Sequence, residues 1–303
     1  MRKSLNKIMS LKEATANYLH DGDSVAFSGM GGAQCVASAH EIVRQGKKDL
    51  TIIGDSPCDA ADILIGAGLV RRVEVAWISY AIAGIAPNYR RAVEEGSPNY
   101  IEVAEVSNYT AGLRFLAGAM NVPFMPTKSL LGSDIPKYNP NVKIMNDPYS
   151  GKPIALVPAA HPDVAFIHIH RADALGNAQV FGWSSNAENI ARAARHTIIV
   201  CEEIVSTEEI RMHPNVTIIP QFCVDAVVHR PYGSHPWNMP YYYAYDIPFH
   251  MGMMSAFRTR DGFLKWLDEW VYGCKDHTDY CRKVGWERLL ELTRIERKFT
   301  RIS

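Results

Sequence analysis

Asp21-Gly22-Asp23-Ser24-Val25-Ala26-Phe27-Ser28-Gly29-Met30-Gly31-Gly32 runs from a polar turn into a short apolar strand and ends it in a cluster of glycines. Residues 36–44 then read as a helix. Strand, glycine loop and helix in that order are how an α/β protein builds an anion-binding site. Glycine lets the backbone approach a ligand closely, and a helix N-terminus offers free N–H groups and a positive dipole end. No Lys-Ser/Thr follows the glycines, so the loop is not a P-loop, and the G-x-G-x-x-G spacing of a dinucleotide site is not met. Taken alone, the motif is equally a tight strand-to-helix turn in an α/β core.

Outward from this stretch, short β-branched runs alternate with helical ones. Strands are expected over 24–28, 50–54, 73–79, 154–158, 164–170, 197–201 and 224–229. Helices are expected over 11–19, 36–45, 60–67, 88–95, 109–120, 186–195 and 206–211. Several strands are almost continuously apolar, as in a sheet covered on both faces. The alternation predicts an α/β fold, an open, mostly parallel sheet with helices on both faces. Residues 127–153 are rich in Pro, Asn, Asp and Gly and read as a long excursion. Residues 231–249 are aromatic and irregular, too apolar for a solvated loop, and are expected to pack on a partner or wrap their own domain. Helical patterns follow over 259–273 and 276–292. The apolar stripe Phe263, Leu264, Trp266, Leu267, Trp270, Val271 suits core packing or a subunit interface. The organisation expected is one domain over 1–303 with an aromatic and helical C-terminal extension, 237–303.

The 303 residues are 47% hydrophobic, enough for a substantial core, and 32 basic residues balance 32 acidic ones. A nucleic-acid footprint is not expected from that balance. No apolar run approaches a membrane span and the basic start has no apolar signal core, so no membrane association and a cytoplasmic location are expected. The six cysteines form no Cys-x-x-Cys pair. Cys274, His277 and Cys281 lack the two-residue spacing of zinc sites, which favours free thiols and no metal.

Arg44-Gln45-Gly46-Lys47-Lys48-Asp49-Leu50-Thr51, Leu64-Ile65-Gly66-Ala67-Gly68-Leu69-Val70 and Asn88-Tyr89-Arg90-Arg91-Ala92 follow the glycine loop. Val122-Pro123-Phe124-Met125-Pro126, Cys201-Glu202-Glu203-Ile204, Val224-Asp225-Ala226-Val227-Val228 and Pro231-Tyr232-Gly233-Ser234-His235-Pro236 come later. In order and spacing these resemble the A (alpha) subunits of glutaconate-type coenzyme A transferases of type I, over roughly residues 8–285. The resemblance implies that family's architecture, a partner B (beta) subunit in a heterotetramer or hetero-octamer, and coenzyme A as a substrate with no tightly bound cofactor.

In an open α/β sheet, ligands bind beyond the carboxyl ends of the strands. That rule points to loop 28–32, to Asp55-Ser56-Pro57, to segment 79–87 and to Glu105-Val106-Ser107-Asn108. The expected substrate- and CoA-binding set is Ser28, Gly29, Met30, Gly31 and Gly32, with Ser79, Ala83 and Gly84, and with Ser107 and Asn108. Glu105 is the candidate catalytic acid. It follows the apolar run 100–104 and precedes a helix capped by Ser107 or Asn108. A carboxylate there can equally serve only to support the helix start. Relatives that open steroid-derived rings as hydrolases use this position as their acid/base, which the resemblance extends to Glu105.

Two departures stand out. Glutaconate-type sequences carry Ser just before the glycine of segment 79–87, where this chain has Ala83, which suggests a less polar acyl substrate. The family often places Pro shortly after the loop glycines, where this chain has Cys35-Val36-Ala37. His168 and His170 share one face of a strand and could bind a metal, but they resemble a core strand of a family that needs none, so structural or pocket roles are favoured. Asp173 and Gly176-Asn177 resemble a family turn near CoA or the subunit interface. Glu202 and Glu203 are expected to split, one to the cleft and one structural. His235 is a weaker pocket candidate.

The family's reaction uses a glutamate nucleophile that passes through an acyl anhydride and a glutamyl-CoA thioester. In two-chain enzymes that residue sits in Ser-Glu-Asn-Gly on the B subunit. This chain has no such motif. It therefore reads as half of an active site. The leading reading is the A subunit of a CoA transferase. A ring-opening acyl-CoA hydrolase using Glu105 keeps the fold and changes the reaction. A non-catalytic stabilising subunit is a third. A sugar-phosphate isomerase is disfavoured, since no phosphate-binding Lys/Arg cluster lies at the loops.

Overall fold

The apolar run after the 21–23 turn forms β1 (Ser24–Phe27). A computed structural model describes residues 6–80, 82 and 84–300 of the chain. β1 pairs in parallel with β2 (Leu50–Gly54) on one side and β10 (Val164–Ala172) on the other. Beyond β2 lie β3 (Val70–Val75) and β6 (Glu102–Val103), and beyond β10 lie β12 (His196–Ile204) and β14 (Ala226–His229), all parallel. Two short antiparallel strands, β11 (Ala178–Gln179) and β13 (Thr217–Ile219), extend the far end of β10. The expected α/β fold is borne out.

Alternation along each strand sends side chains to opposite faces. Val25 and Phe27 join the core under α1 (Leu11–Tyr18), α2 (Val36–Gln45) and α3 (Cys58–Gly66), on whose side α4 (Pro87–Glu94) also lies. Ala26 joins a second core with Phe115 of α5 (Asn108–Ala119) and Ile190 of α7 (Ala187–Ala193). α1 starts on a capping box between Ser10 and Glu13, and α2 stops at Gly46, whose φ of 63° closes the helix in the left-handed region.

The expected strand over 73–79 ends early, at Val75. The N–H groups of Ala76 and Trp77 both donate to Asp55 O, at 3.2 and 3.0 Å, and draw the chain off the sheet. A small hairpin of β4 (Ser79–Tyr80) and β5 (Gly84–Ile85) follows. Residues 154–158 depart from the expected parallel core. They lie in β9 (Pro153–Pro158), the centre of a separate antiparallel sheet between β7 (Phe124–Thr127) and β8 (Lys143–Asn146). Only alternate residues there, Ala155 and Val157, are buried, as in a sheet covered on one face. That sheet and the short helix α6 (Ile135–Tyr138) account for the excursion. The short helix α8 (Thr207–Met212) leads from β12 toward β13.

After β14 the chain wraps its own body. Trp237, Met239 and Tyr243 are buried within the chain. Helices α9 (Ile247–Phe257), α10 (Arg260–Leu267), α11 (His277–Val284) and α12 (Trp286–Thr300) follow. One π-helical turn, Asp268–Tyr272, continues α10. The pattern expected over 276–292 breaks at Gly285, whose φ is 101°. Phe263, Trp266, Leu267 and Val271 of the apolar stripe lie in the main core, Trp270 packs against it half-buried, and Leu264 is exposed. Among the described residues, no helix is long and apolar enough to cross a membrane.

Candidate functional site

Because β1, β2, β3 and β6 are parallel neighbours, their C-terminal ends bring the glycine loop, Asp55-Ser56, the β4–β5 hairpin and Glu105 to one edge of the sheet. Gly29 has a φ of 105°, and a Cβ there would lie 2.6 Å from Ala33 O, so only glycine fits the turn. Gly31 (φ 72°) continues the left-handed path. The N–H groups of Gly29, Met30, Gly31 and Gly32 have no hydrogen-bond partner among the described residues, and the next donor, Ala33 N, binds Asn238 O at 2.9 Å. A run of free N–H groups in such a turn is a nest for an oxyanion or carbonyl oxygen.

Ser28 has a different part. It is 2% exposed, and its hydroxyl accepts from His168 N at 3.0 Å, extending the ladder to β10 beyond the end of β1. Cys35 precedes α2 without capping it through its side chain, and its thiol donates to Phe166 O at 3.2 Å; burial pushes the thiol up to about 11, which leaves it unreactive. Gln34, which sequence reasoning missed, donates to Gly29 O (2.8 Å) and Ser56 O (3.4 Å) and ties the two loops together.

Ser79 donates to Gly84 O at 2.7 Å and closes the hairpin, where Gly84 holds a φ of 90°. Ala83 lies outside the described residues. Ser107 caps α5 in a reciprocal box with Thr110. Asn108 opens the helix, and its Oδ1 accepts from Ser56 Oγ at 3.2 Å.

Glu105 lies between β6 and α5 and is exposed. Its backbone oxygen accepts from Asn139 Nδ2 at 2.9 Å, while its carboxylate has no hydrogen bond or ion pair among the described residues. It faces Tyr89, whose phenol is pushed up by burial and then by the Glu105 charge.

A cleft of about 330 Å³ opens between α5 and α7, with Met30, Asp55, Asn108, Leu113, Trp183 and Asn186 among its walls. Glu105 is not in its lining. A smaller cavity of about 50 Å³ lies behind the glycine loop and reaches His168 and His170. Asp55 is 3% exposed, and its carboxyl accepts from Ser56 N (2.7 Å) and Asn186 Nδ2 (3.1 Å). Burial raises its pKa against those two donors. Ser185 and Asn186, missed in the sequence, hold consecutive left-handed conformations (φ 47° and 61°) at the start of α7. Their signal was the turn-forming run Ser184-Ser185-Asn186 ahead of a helix.

The remaining candidates are tied into local hydrogen-bond networks. His170 accepts from Phe181 N at Nδ1 (3.1 Å) and donates to Pro240 O from Nε2 (2.9 Å), and burial lowers its pKa to about 4, so it is held neutral. Glu202 is buried, accepting from His168 Nε2 (2.6 Å), Tyr243 OH (2.7 Å) and Tyr232 N (2.7 Å). Glu203 pairs with Arg171 at 2.9 Å on an open cavity beyond the wrap. Asp173 closes the β10–β11 turn by accepting from Leu175 N, Asn177 N and Asn177 Nδ2. His235 is buried between Tyr280 and Asp246. Among the described residues, no group of three His, Cys, Asp or Glu side chains is placed to hold a metal.

The family model described as coenzyme A transferase matches residues 8–230. The chain belongs to the coenzyme A transferase family. It is 37% identical to the A subunit of 3-oxoadipate CoA-transferase from Pseudomonas knackmussii, over 92% of this chain and 98% of that one. The A subunit of glutaconate CoA-transferase from Acidaminococcus fermentans is 33% identical over 95% of each chain. The crystal structure of that organism's glutaconate coenzyme A-transferase superposes with a TM-score of 0.88 over 94% of this chain and 95% of its own. The cholesterol ring-cleaving hydrolase IpdA subunit of Mycobacterium tuberculosis is 26% identical over 88% of this chain and 94% of its own. The chain also spans 66% of the length of an Archaeoglobus fulgidus protein, 43% identical over 97% of this chain. The resemblance to the A subunits of coenzyme A transferases is thus borne out, and coenzyme A is the substrate of this family.

Proposed function

We propose that this chain is the A subunit of a heteromeric CoA transferase that moves CoA from an acyl-CoA to a carboxylic acid, with the glutaconate-type glutamyl-CoA intermediate carried by the B subunit. The observation that carries the reading is the run of four unpartnered N–H groups from Gly29 to Gly32 at the C-terminal edge of the sheet. Similarity to the A subunits of two CoA transferases supports it.

In this reading the partner's glutamate carboxylate attacks the thioester carbonyl, and CoA thiolate leaves to give a mixed anhydride. The thiolate then attacks the glutamyl carbonyl and releases the first acid, leaving glutamyl-CoA. The incoming carboxylate reverses both steps. Each addition puts negative charge on a carbonyl oxygen, and the N–H groups of the glycine loop are preorganised to receive it. Gly29, Met30, Gly31 and Gly32 form that cradle, and Ser28 holds its base against β10. Ser79 and Gly84 shape the hairpin wall, and Ser107 and Asn108 the opposite one. Glu105 stands near them as the candidate catalytic carboxylate. The assembly is a heterotetramer or hetero-octamer located in the cytoplasm.

A second reading is the ring-opening hydrolase. It draws support from the exposed, unpartnered carboxylate of Glu105 and from similarity to a ring-cleaving hydrolase subunit. Mass spectrometry separates the two. The co-purified complex is incubated with acyl-CoA and quenched with hydroxylamine or borohydride. A trapped glutamate on the partner is the expected result. No adduct, with CoA release that disappears in Glu105→Gln, would replace transfer by hydrolysis.

A further inference from the structure

The cleft between α5 and α7 has a chemistry that selects among acids. Its walls are apolar and aromatic: Met30, Leu113, Leu116 and Tyr109, with Trp183 at the mouth, 62% exposed. Its polar groups are of a different kind. Ser185 is 7% exposed, and its hydroxyl is buried with no hydrogen-bond partner. Asn108 accepts from Ser56 through Oδ1, which leaves its amide N–H₂ directed elsewhere. Asp55 is the one ionisable side chain in the lining apart from the Tyr109 phenol. Among the described residues that line the cleft there is no Lys, Arg or His.

A buried hydroxyl without a partner in a strained, left-handed turn is a group that a bound molecule would satisfy. A second carboxylate placed here would meet no cation and would sit beside the Asp55 carboxyl, and an unpaired charge is disfavoured in a low-dielectric site. A hydroxyl or keto oxygen meets no such opposition, because it can pair with Ser185 Oγ and the Asn108 amide.

We infer that this cleft is the acyl-tail subsite and that it selects a short acid with an uncharged, hydrogen-bonding tail over a dicarboxylic acid of equal length. The inference rests on the CoA-transfer reading for its place in the reaction, and on the cleft alone for its selectivity. Replacing Ser185 removes the tail's partner, while replacing Asp55 removes the charge that opposes a second carboxylate.

The test uses the complete two-subunit complex with three five-carbon probes: pentanoate, 5-hydroxypentanoate and glutarate. Each is titrated by calorimetry and assayed as CoA acceptor from acetyl-CoA. The expected result is at least tenfold tighter binding and tenfold higher kcat/KM for 5-hydroxypentanoate than for glutarate. In Ser185→Ala, the advantage of 5-hydroxypentanoate over pentanoate falls several-fold. In Asp55→Asn, glutarate gains tenfold relative to pentanoate. The wild-type panel decides the matter if either variant fails to fold. Glutarate bound or used as well as the hydroxy acid overturns the inference and leaves CoA transfer intact. Preferential binding of the hydroxy acid with no CoA transferred to any probe upholds the cleft's selectivity and overturns the transfer reading. No binding of any probe removes the cleft as an acyl subsite.

Discussion

Asp62 shows how much a single residue's environment decides. It sits fully buried in α3, and its carboxyl accepts from Tyr80 OH (3.1 Å), Asn88 Nδ2 (3.1 Å) and Tyr89 N (2.7 Å). Burial opposes the charge, the three donors favour it, and burial wins, raising the pKa to about 7. The folded state therefore holds a proton between about pH 4 and pH 7 that the unfolded chain has lost. This contribution to stability is full below the ordinary carboxylate range and is lost as pH rises through about 7. In Asp62→Asn, the fall in melting temperature between about pH 5 and pH 8 should be smaller than in the wild type. An unchanged pH dependence would mean that Asp62 ionises normally. The same residue anchors Tyr80, the last residue before the hairpin turn, so it holds one wall of the candidate site in place. Nothing in Ala61-Asp62-Ile63 announces this, since the partners come from 18 to 27 positions away.

At the scale of elements, α5 and α7 make the cleft by packing closely. Gly112 faces Asn186, and Gly118 faces Ala160 O and Ala193, where a Cβ would come within 2.2 and 2.9 Å. Alanine is better than glycine inside a helix by about 1 kcal/mol. The clash is with a backbone oxygen that cannot rotate away, so overpacking outweighs propensity. Gly118→Ala should lose about 2 kcal/mol in urea unfolding, against the propensity rule. A gain in stability would show that the two helices have room to spare. The start of α5 was legible in Ser107 and the apolar run behind it. The contact with α7 was not, because glycine in a helix carries no mark of which element approaches it.

For the whole molecule, the wrap after β14 is locked by Asp246. Its carboxylate caps α9 through Phe249 N (3.3 Å), accepts from Arg288 of α12 (2.8 and 3.1 Å) and contacts His235 (3.2 Å). Burial works against this anion, but the bonds from His235 and Arg288 hold the carboxyl well below the usual range. Its contribution is therefore present above the unfolded carboxylate pKa and is lost as pH falls. Asp246→Ala strips His235 Nε2 and two Arg288 donors of their partner, leaving His235 only Tyr280 and Arg288 only Glu291, and should cost about 3 kcal/mol. Limited proteolysis is then expected to cut between α9 and α12 before the sheet opens. Cleavage at the wild-type rate would show that the core contacts of Phe257, Phe263 and Trp266 hold these helices unaided.

Local patterning was enough to read which segments become strands and helices around the parallel core. Hydrophobic period, caps and glycines act within a few residues, so strands 24–28 and 50–54 and the helix begun by Ser107 could be read locally. It also determined that the glycine loop, Asp55-Ser56 and Glu105 meet at one edge, because the ends of parallel strands must. Long-range packing settled that residues 154–158 leave the main sheet, that the aromatic wrap is buried in its own chain, and that Asp55, Asn108 and Asn186 share a cleft while Glu105 lies outside it. Those outcomes depend on strand order and on contacts between distant positions, 52 residues apart for Ser56 and Asn108 and 131 for Asp55 and Asn186. Local propensity carries no information at that range, and burial and packing supply it.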